Sequence, residues 1–212
     1  MVIFLVNLTF SLDIYFKING IRLKSMKKLK GLVLSGGKSS RMGRDKGKLV
    51  YYEKTQEEHL FELLSKYCNQ VFISVKKDKT DQLPSIPDQY NILSPINGIL
   101  SALEYDPESD WLIVPCDMPF IDNQAIEHLI KHQEGIVTCY HDDSGERPEP
   151  LFSIWKSENI QPLHDFIQSG SISPRAYIES LQITLLKPPF PHLNKNVNTM
   201  KEYLEVIGQG KG

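Results

Sequence analysis

Leu29-Lys-Gly-Leu-Val-Leu-Ser-Gly-Gly-Lys-Ser-Ser-Arg-Met-Gly-Arg-Asp-Lys46 is the stretch on which the fold turns. Its first part, Leu29–Ser35, is a short apolar run that reads as a strand and passes directly into a Gly-rich loop, Gly36–Gly47. Glycines at 36, 37 and 43 let the backbone come close to a ligand and turn its N–H groups toward anions. Lys38, Arg41, Arg44 and Lys46 add cations to the same loop. A Gly-rich, cationic turn at a strand end is what a triphosphate requires. A surface turn with solvated side chains is the plainer alternative. The spacing is neither G-x-x-x-x-G-K-[ST] nor G-x-G-x-x-G, so the loop signals neither a P-loop nor a dinucleotide fold.

Working outward, strand-like and helix-like segments alternate. Thr55–Cys68 reads as a helix opened by a Thr55/Glu58 capping box, and Val71–Val75 as a β-branched strand. Asn97–Tyr105 is helical, Trp111–Pro115 a buried strand, and Asp122–Gln133 a helix capped by Asp122. Strands Ile136–Tyr140 and Leu151–Trp155 precede helices Ser157–Ser169 and Ser173–Leu181, then a strand Ile183–Leu186 and a last helix Thr199–Ile207. Such alternation predicts βαβ units: an α/β, three-layer, Rossmann-like, mostly parallel sheet with helices on both faces. Ligands of such a sheet bind at the carboxyl ends of its strands, here just after Ser35, Val75 and Pro115.

Bulk properties narrow the class. The 212 residues fit one domain over residues 26–212, and 41% apolar content supports a substantial core. A net charge of -2 gives no case for nucleic-acid binding. Cys68, Cys116 and Cys139 show neither zinc nor disulfide spacing and read as small buried hydrophobes of a reducing, cytoplasmic compartment. No apolar run approaches the ~20 residues that span a bilayer. Residues 1–25 carry a short apolar run, Val2–Val6, without signal-peptide features, and read as an N-terminal extension ahead of Met26.

Three further segments bear on chemistry. Asp117, in Pro115-Cys-Asp-Met-Pro119, follows a strand, where a carboxylate is a natural Mg²⁺ ligand; capping a turn is the alternative. Asn196 and Asn198 share one face of an extended segment ahead of Thr199, suited to ligand or metal contacts or simply to a turn. Asp88-Gln-Tyr-Asn-Ile-Leu-Ser-Pro-Ile-Asn-Gly-Ile99 is a loop where a base or ribose could be read. His128 and His132 have a metal-pair spacing, but no Glu follows His128 and no third ligand is evident, so a helix surface is the expected reading. No Ser/His/Asp or Cys/His set suggests a nucleophile.

Together these segments resemble the molybdenum cofactor guanylyltransferase family, the MobA-like enzymes of the nucleotidyltransferase superfamily. The family's L-A-G-G-x-S-x-R-M-G-x-D-K looks like Leu34–Lys46 here, with Ser35 in place of Ala. P-C-D-M-P matches 115–119, N-x-N-T matches Asn196–Thr199, and G-P-L-x-G-I is similar to Ser94–Ile99, with Ser94 in place of Gly. The resemblance runs from about Leu29 to Val206 and implies the nucleotide-diphospho-sugar transferase type of sheet.

It also implies roles. Leu34, Ser35, Gly36 and Gly37 hold the nucleotide, Lys46 and Arg41 neutralise its phosphates, and Asp88 contacts the nucleoside. Asp117 holds Mg²⁺, and Asn196 and Asn198 lie near the acceptor or the metal. The implied reaction moves GMP from GTP to a molybdopterin acceptor, with molybdoenzyme chaperones as protein partners. Asp45-Lys46 and the N-x-N-T ending favour the guanylyl branch over relatives that use CTP or a sugar phosphate. A non-catalytic nucleotide-binding regulator, or a protein that binds no nucleotide, would be alternatives of another kind.

Overall fold

The computed structural model describes residues 28–35, 46–51, 53–76 and 82–209, with the side chains of Lys46, Gly208 and Gln209 left out. The extension 1–25 and most of the Gly-rich loop, including Gly36, Gly37 and Arg41, lie outside the described residues. Six strands form one sheet: β1 (Leu29–Leu34), β2 (Val71–Val75), β3 (Ser85–Pro87), β4 (Asp110–Pro115), β5 (Val137–His141) and β6 (Pro148–Trp155). Their spatial order is β3-β2-β1-β4-β6-β5. The pairings β1–β2, β1–β4 and β2–β3 are parallel, whereas β4–β6 and β5–β6 are antiparallel. The sheet is therefore mostly parallel, with an antiparallel edge.

The apolar runs in the strands explain the three layers. Both faces are covered, so the strands are apolar nearly throughout, yet alternate residues still go to opposite cores. Val33, Ile73, Val114 and Ile154 meet Leu60 and Leu64 of α1 (Gln56–Leu64) and Ile126 and Leu129 of α3 (Asn123–Lys131). Leu32, Phe72, Trp111 and Trp155 face the other way, onto α2 (Ile96–Tyr105), Leu163 of α4 (Ile160–Gln168) and Tyr177 of α5 (Pro174–Ser180). α6 (Met200–Gln209) closes the chain, its Tyr203 hydroxyl donating to the Val50 carbonyl at 2.7 Å. No described helix is long and apolar enough to cross a membrane.

Three local expectations change. β3 was not legible, because Pro84 and Pro87 interrupt its pattern; prolines are tolerated there because the strand is at the sheet edge. The predicted strand Ile183–Leu186 is reduced to one bridge between Leu186 and Tyr140, since Pro188 and Pro189 lack the N–H groups that a longer ladder needs. The predicted helix Ser157–Ser169 begins with a 3₁₀ turn, Ser157–Asn159, before α4.

Candidate functional site

β1 and β4 are adjacent and parallel, with Leu34 opposite Pro115. The Cys116 N–H donates to the Leu34 carbonyl at 3.2 Å. The start of the Gly-rich loop, at Ser35, and Asp117 thus leave neighbouring strands at the same edge, the one the sequence pointed to. The Val197 N–H donates to the Asp117 carbonyl at 2.7 Å. That bond brings the Asn196–Thr199 segment to the same place. Val197 is fully buried, Asn196 half-buried and Asn198 exposed, the alternation expected of extended chain. Thr199 and Glu202 form a capping box: the Glu202 carboxylate accepts from the Asn198 and Thr199 N–H groups at 2.7 and 2.8 Å, and the Glu202 N–H donates to Thr199 Oγ1 at 3.2 Å.

Asp88 follows β3 at the same edge. Its N–H donates to the Val75 carbonyl at 2.8 Å, and Ser74 Oγ donates to its carboxylate at 3.2 Å. Burial raises the Asp88 pKa, with the Ser74 bond acting in the opposite sense. A Cβ at Gly98 would overlap Ser74 Oγ, so glycine is what lets the first turn of α2 come this close to β2. The Asn97 amide, singled out only as part of a loop, fastens that loop: it accepts from the Tyr90 N–H at 3.1 Å and donates to the Tyr90 carbonyl at 2.6 Å.

Two acidic residues escaped the sequence reading. Glu149 lies on β6, which pairs with β4 through Trp111–Trp155 and Ile113–Ser153. Continued past those rungs, the register sets Glu149 level with Asp117. Burial pushes the Glu149 carboxyl up to about 7; the Leu151 N–H and Arg175 pull it back, while the charges of Asp117 and Asp142 push further. Arg175 lies 3.4 Å from Asp142 and 3.8 Å from Glu149. The second is Glu57, on α1. Ser35 Oγ donates to its carboxylate and Lys48 Nζ pairs with it at 2.5 Å. The faint signal for Glu149 was an acid between two prolines after a turn, and for Glu57 a second acid inside a capping box.

α1 also brings Gln56 to the edge. Leu64 packs 3.1 Å from where a Gly31 Cβ would stand. Eight helical residues back from Leu64 is about 12 Å, and four strand residues on from Gly31 is about 13 Å, which puts Gln56 level with Ser35. Gln56 is fully buried, and among the described residues neither polar atom of its amide has a hydrogen-bond partner. A cavity of about 530 Å³, lined by His59, Lys66, Pro119, Phe120 and Phe190 among others, opens between α1 and the segment after Asp117.

The remaining candidates resolve as follows. Lys46 begins a 3₁₀ turn, Lys46–Lys48. The His128 and His132 rings sit 4.3 Å apart, His132 Nδ1 lies 2.8 Å from the His128 carbonyl, and His128 Nδ1 lies 3.0 Å from the Tyr140 hydroxyl, so both rings have structural partners. Among the described residues no group of three or more His, Cys, Asp or Glu side chains could hold a metal. The donor set that remains, Asp117 with Glu149 beside it, is made of hard oxygen ligands and suits Mg²⁺, which takes one or two carboxylates and fills its shell with water and phosphate oxygens.

A mostly parallel sheet, with a Gly-rich turn after its central strand and a carboxylate after the next, defines a nucleotidyltransferase-type α/β protein. Comparison with known proteins agrees. The family profile described as a MobA-like NTP transferase domain matches residues 31–183, and the chain belongs to that family. The molybdenum cofactor biosynthesis bifunctional protein of Synechocystis is 32% identical over 84% of this chain, which spans only 53% of that relative's length. A probable molybdenum cofactor guanylyltransferase of Clostridium perfringens is 30% identical, over 86% of this chain and 98% of its own. In fold, the chain is similar to the molybdopterin-guanine dinucleotide biosynthesis protein A of Archaeoglobus fulgidus, with a TM-score of 0.66 and 21% identity over 86% of this chain and 98% of the other.

Proposed function

We propose that this protein transfers the GMP moiety of GTP to the terminal phosphate of a molybdopterin acceptor, releasing pyrophosphate and forming a guanine dinucleotide. The observation that carries the reading is the Leu34–Pro115 register, by which Ser35, where the Gly-rich loop begins, and Asp117 follow neighbouring strands at the carboxyl edge. The names of the relatives supply the substrates.

In this reading an acceptor phosphate oxygen forms a bond to the α-phosphorus as the bond to the β-phosphate oxygen breaks. The attacking phosphate is already an anion at neutral pH, so a strong general base is not needed. Catalysis then consists of positioning and charge neutralisation. The Gly-rich loop, Arg41 and Lys46 take the triphosphate and the leaving pyrophosphate, Asp88 contacts the nucleoside, and Asn196 and Asn198 face the acceptor. Asp117, with Glu149 next to it, would hold Mg²⁺. That ion would supply positive charge to offset the negative charge on the reacting phosphates.

The test is product formation. The purified protein, incubated with Mg²⁺, GTP and molybdopterin, is expected to yield the guanine dinucleotide by mass spectrometry. GTP left intact in that mixture would overturn the proposal.

A further inference from the structure

Glu57 is 2% exposed, an unusual position for a carboxylate. Burying a charge is costly unless it is paired and hydrogen-bonded, so its partners indicate why it is kept. They lie at the two ends of one segment. Ser35 Oγ, which donates to Glu57 Oε1, belongs to the last residue before Gly36. Lys48 Nζ, which pairs with Oε2 at 2.5 Å, follows the loop's final cation, Lys46, by two residues. Gly47 packs so tightly against the same carboxylate that a Cβ there would overlap it. Glu57 therefore holds the entry and the exit of the Gly-rich loop together.

A plainer explanation would be that Glu57 only favours the α1 N-terminus, where acids complement the helix dipole. Glu58 already serves there, accepting from the Thr55 N–H at 2.9 Å in the capping box. The dipole also does not require burial, nor a serine and a lysine from either side of a loop. Ser35 stands where the resembled motif has Ala, and its hydroxyl is the group that reaches Glu57.

We propose that Glu57 is the positioning residue of the nucleotide-binding loop: by joining Ser35 to Gly47 and Lys48 it sets the loop ends before nucleotide arrives. This rests on the reading of the Gly-rich loop as the triphosphate site. Fixing the ends of a loop in advance reduces the ordering cost that binding must otherwise meet. Lys48 offsets the negative charge that Glu57 would otherwise present to an anionic ligand. Its members stand at the end of β1, on α1 and in the turn Lys46–Lys48, not on the segments that carry Asp117 and Asn196–Thr199, so the clasp acts on nucleotide affinity rather than on the chemical step or acceptor binding.

The experiment compares the full-length protein with E57Q and S35A. Titration calorimetry with Mg·GTP gives affinity, melting without ligand gives stability, and steady-state kinetics separate the two KM values from kcat. The loss expected is about tenfold or more in GTP affinity for E57Q, the size of one hydrogen bond to a charged group, and several-fold for S35A. The KM for acceptor and kcat at saturating GTP are expected to stay near wild type in E57Q. Folded variants with wild-type GTP affinity would overturn the proposal, as would a loss shared equally by acceptor binding and melting temperature. If E57Q does not fold, S35A decides by its GTP affinity set against its melting temperature without ligand. A wild-type protein that binds none of the four nucleoside triphosphates would overturn the functional reading and this proposal together; wild-type binding matched by both variants would overturn this proposal alone.

Discussion

Asp117 and Glu149 differ in how readily each could be recognised. Asp117 follows a strand within a motif, and its position was legible from those neighbours alone. Glu149 becomes visible only when antiparallel pairing sets β6 against β4, a contact between residues far apart in sequence. Their chemistry leads to two expectations. Asp117→Asn keeps the side-chain shape and removes the charge that makes a hard-cation ligand. Turnover should fall by ~10²–10³, the scale of one preorganised charge contact, and the Mg²⁺ titration of pyrophosphate release should shift to higher concentration. A variant with the wild-type metal curve would reduce Asp117 to a turn residue. For Glu149 the expectation concerns stability. Its carboxyl titrates near 7 in the folded chain and at 4.5 when exposed, so the folded state holds the extra proton between those values. Its stability contribution is present below pH 4.5 and is lost as pH rises through about 7. Glu149→Gln should therefore match wild type near pH 4.5 and be more stable at pH 8, by up to roughly 3 kcal/mol at 1.36 kcal/mol per pH unit. Denaturant melts in chelator at the two pH values measure this, and parallel wild-type and variant profiles would contradict it.

Among the elements, α1 shows what periodicity can and cannot convey. Thr55 and Glu58 announced its start, and the capping box is present with both bonds. Leu60 and Leu64, four residues apart, form its inner face. Gln56 falls on that face too, yet nothing in a helical repeat says that its first position overhangs the site; that follows from Leu64 packing on Gly31. An amide buried with both polar atoms unpartnered costs on the order of 1–3 kcal/mol per atom. Gln56→Leu, close in volume, should thus melt a few degrees higher, and because Gln56 stands level with Ser35 it should bind GTP more weakly. Thermal melts with and without GTP check both halves, and a variant that melts below wild type would contradict the burial argument. The short edge strand β3 marks the opposite limit: its register with β2 comes from tertiary pairing, and its prolines conceal it in the sequence.

At the level of the whole molecule, the three-layer arrangement was legible because apolar strands and amphipathic helices alternate, and the sheet with a core on each face bears it out. The antiparallel edge and the clasp by Glu57 were not, since each depends on which distant segments meet. In the proposed reading, activity belongs to an edge assembled from β1, β4, the Asp88 loop and the Asn196–Thr199 segment, with discrimination among nucleotides as its outward sign. The most direct measurement is pyrophosphate release from each of the four nucleoside triphosphates, with and without molybdopterin, in the presence of Mg²⁺. The account predicts release with GTP, dependent on the acceptor, and little with ATP, CTP or UTP. Release that favours CTP, or that ignores the acceptor, would contradict it.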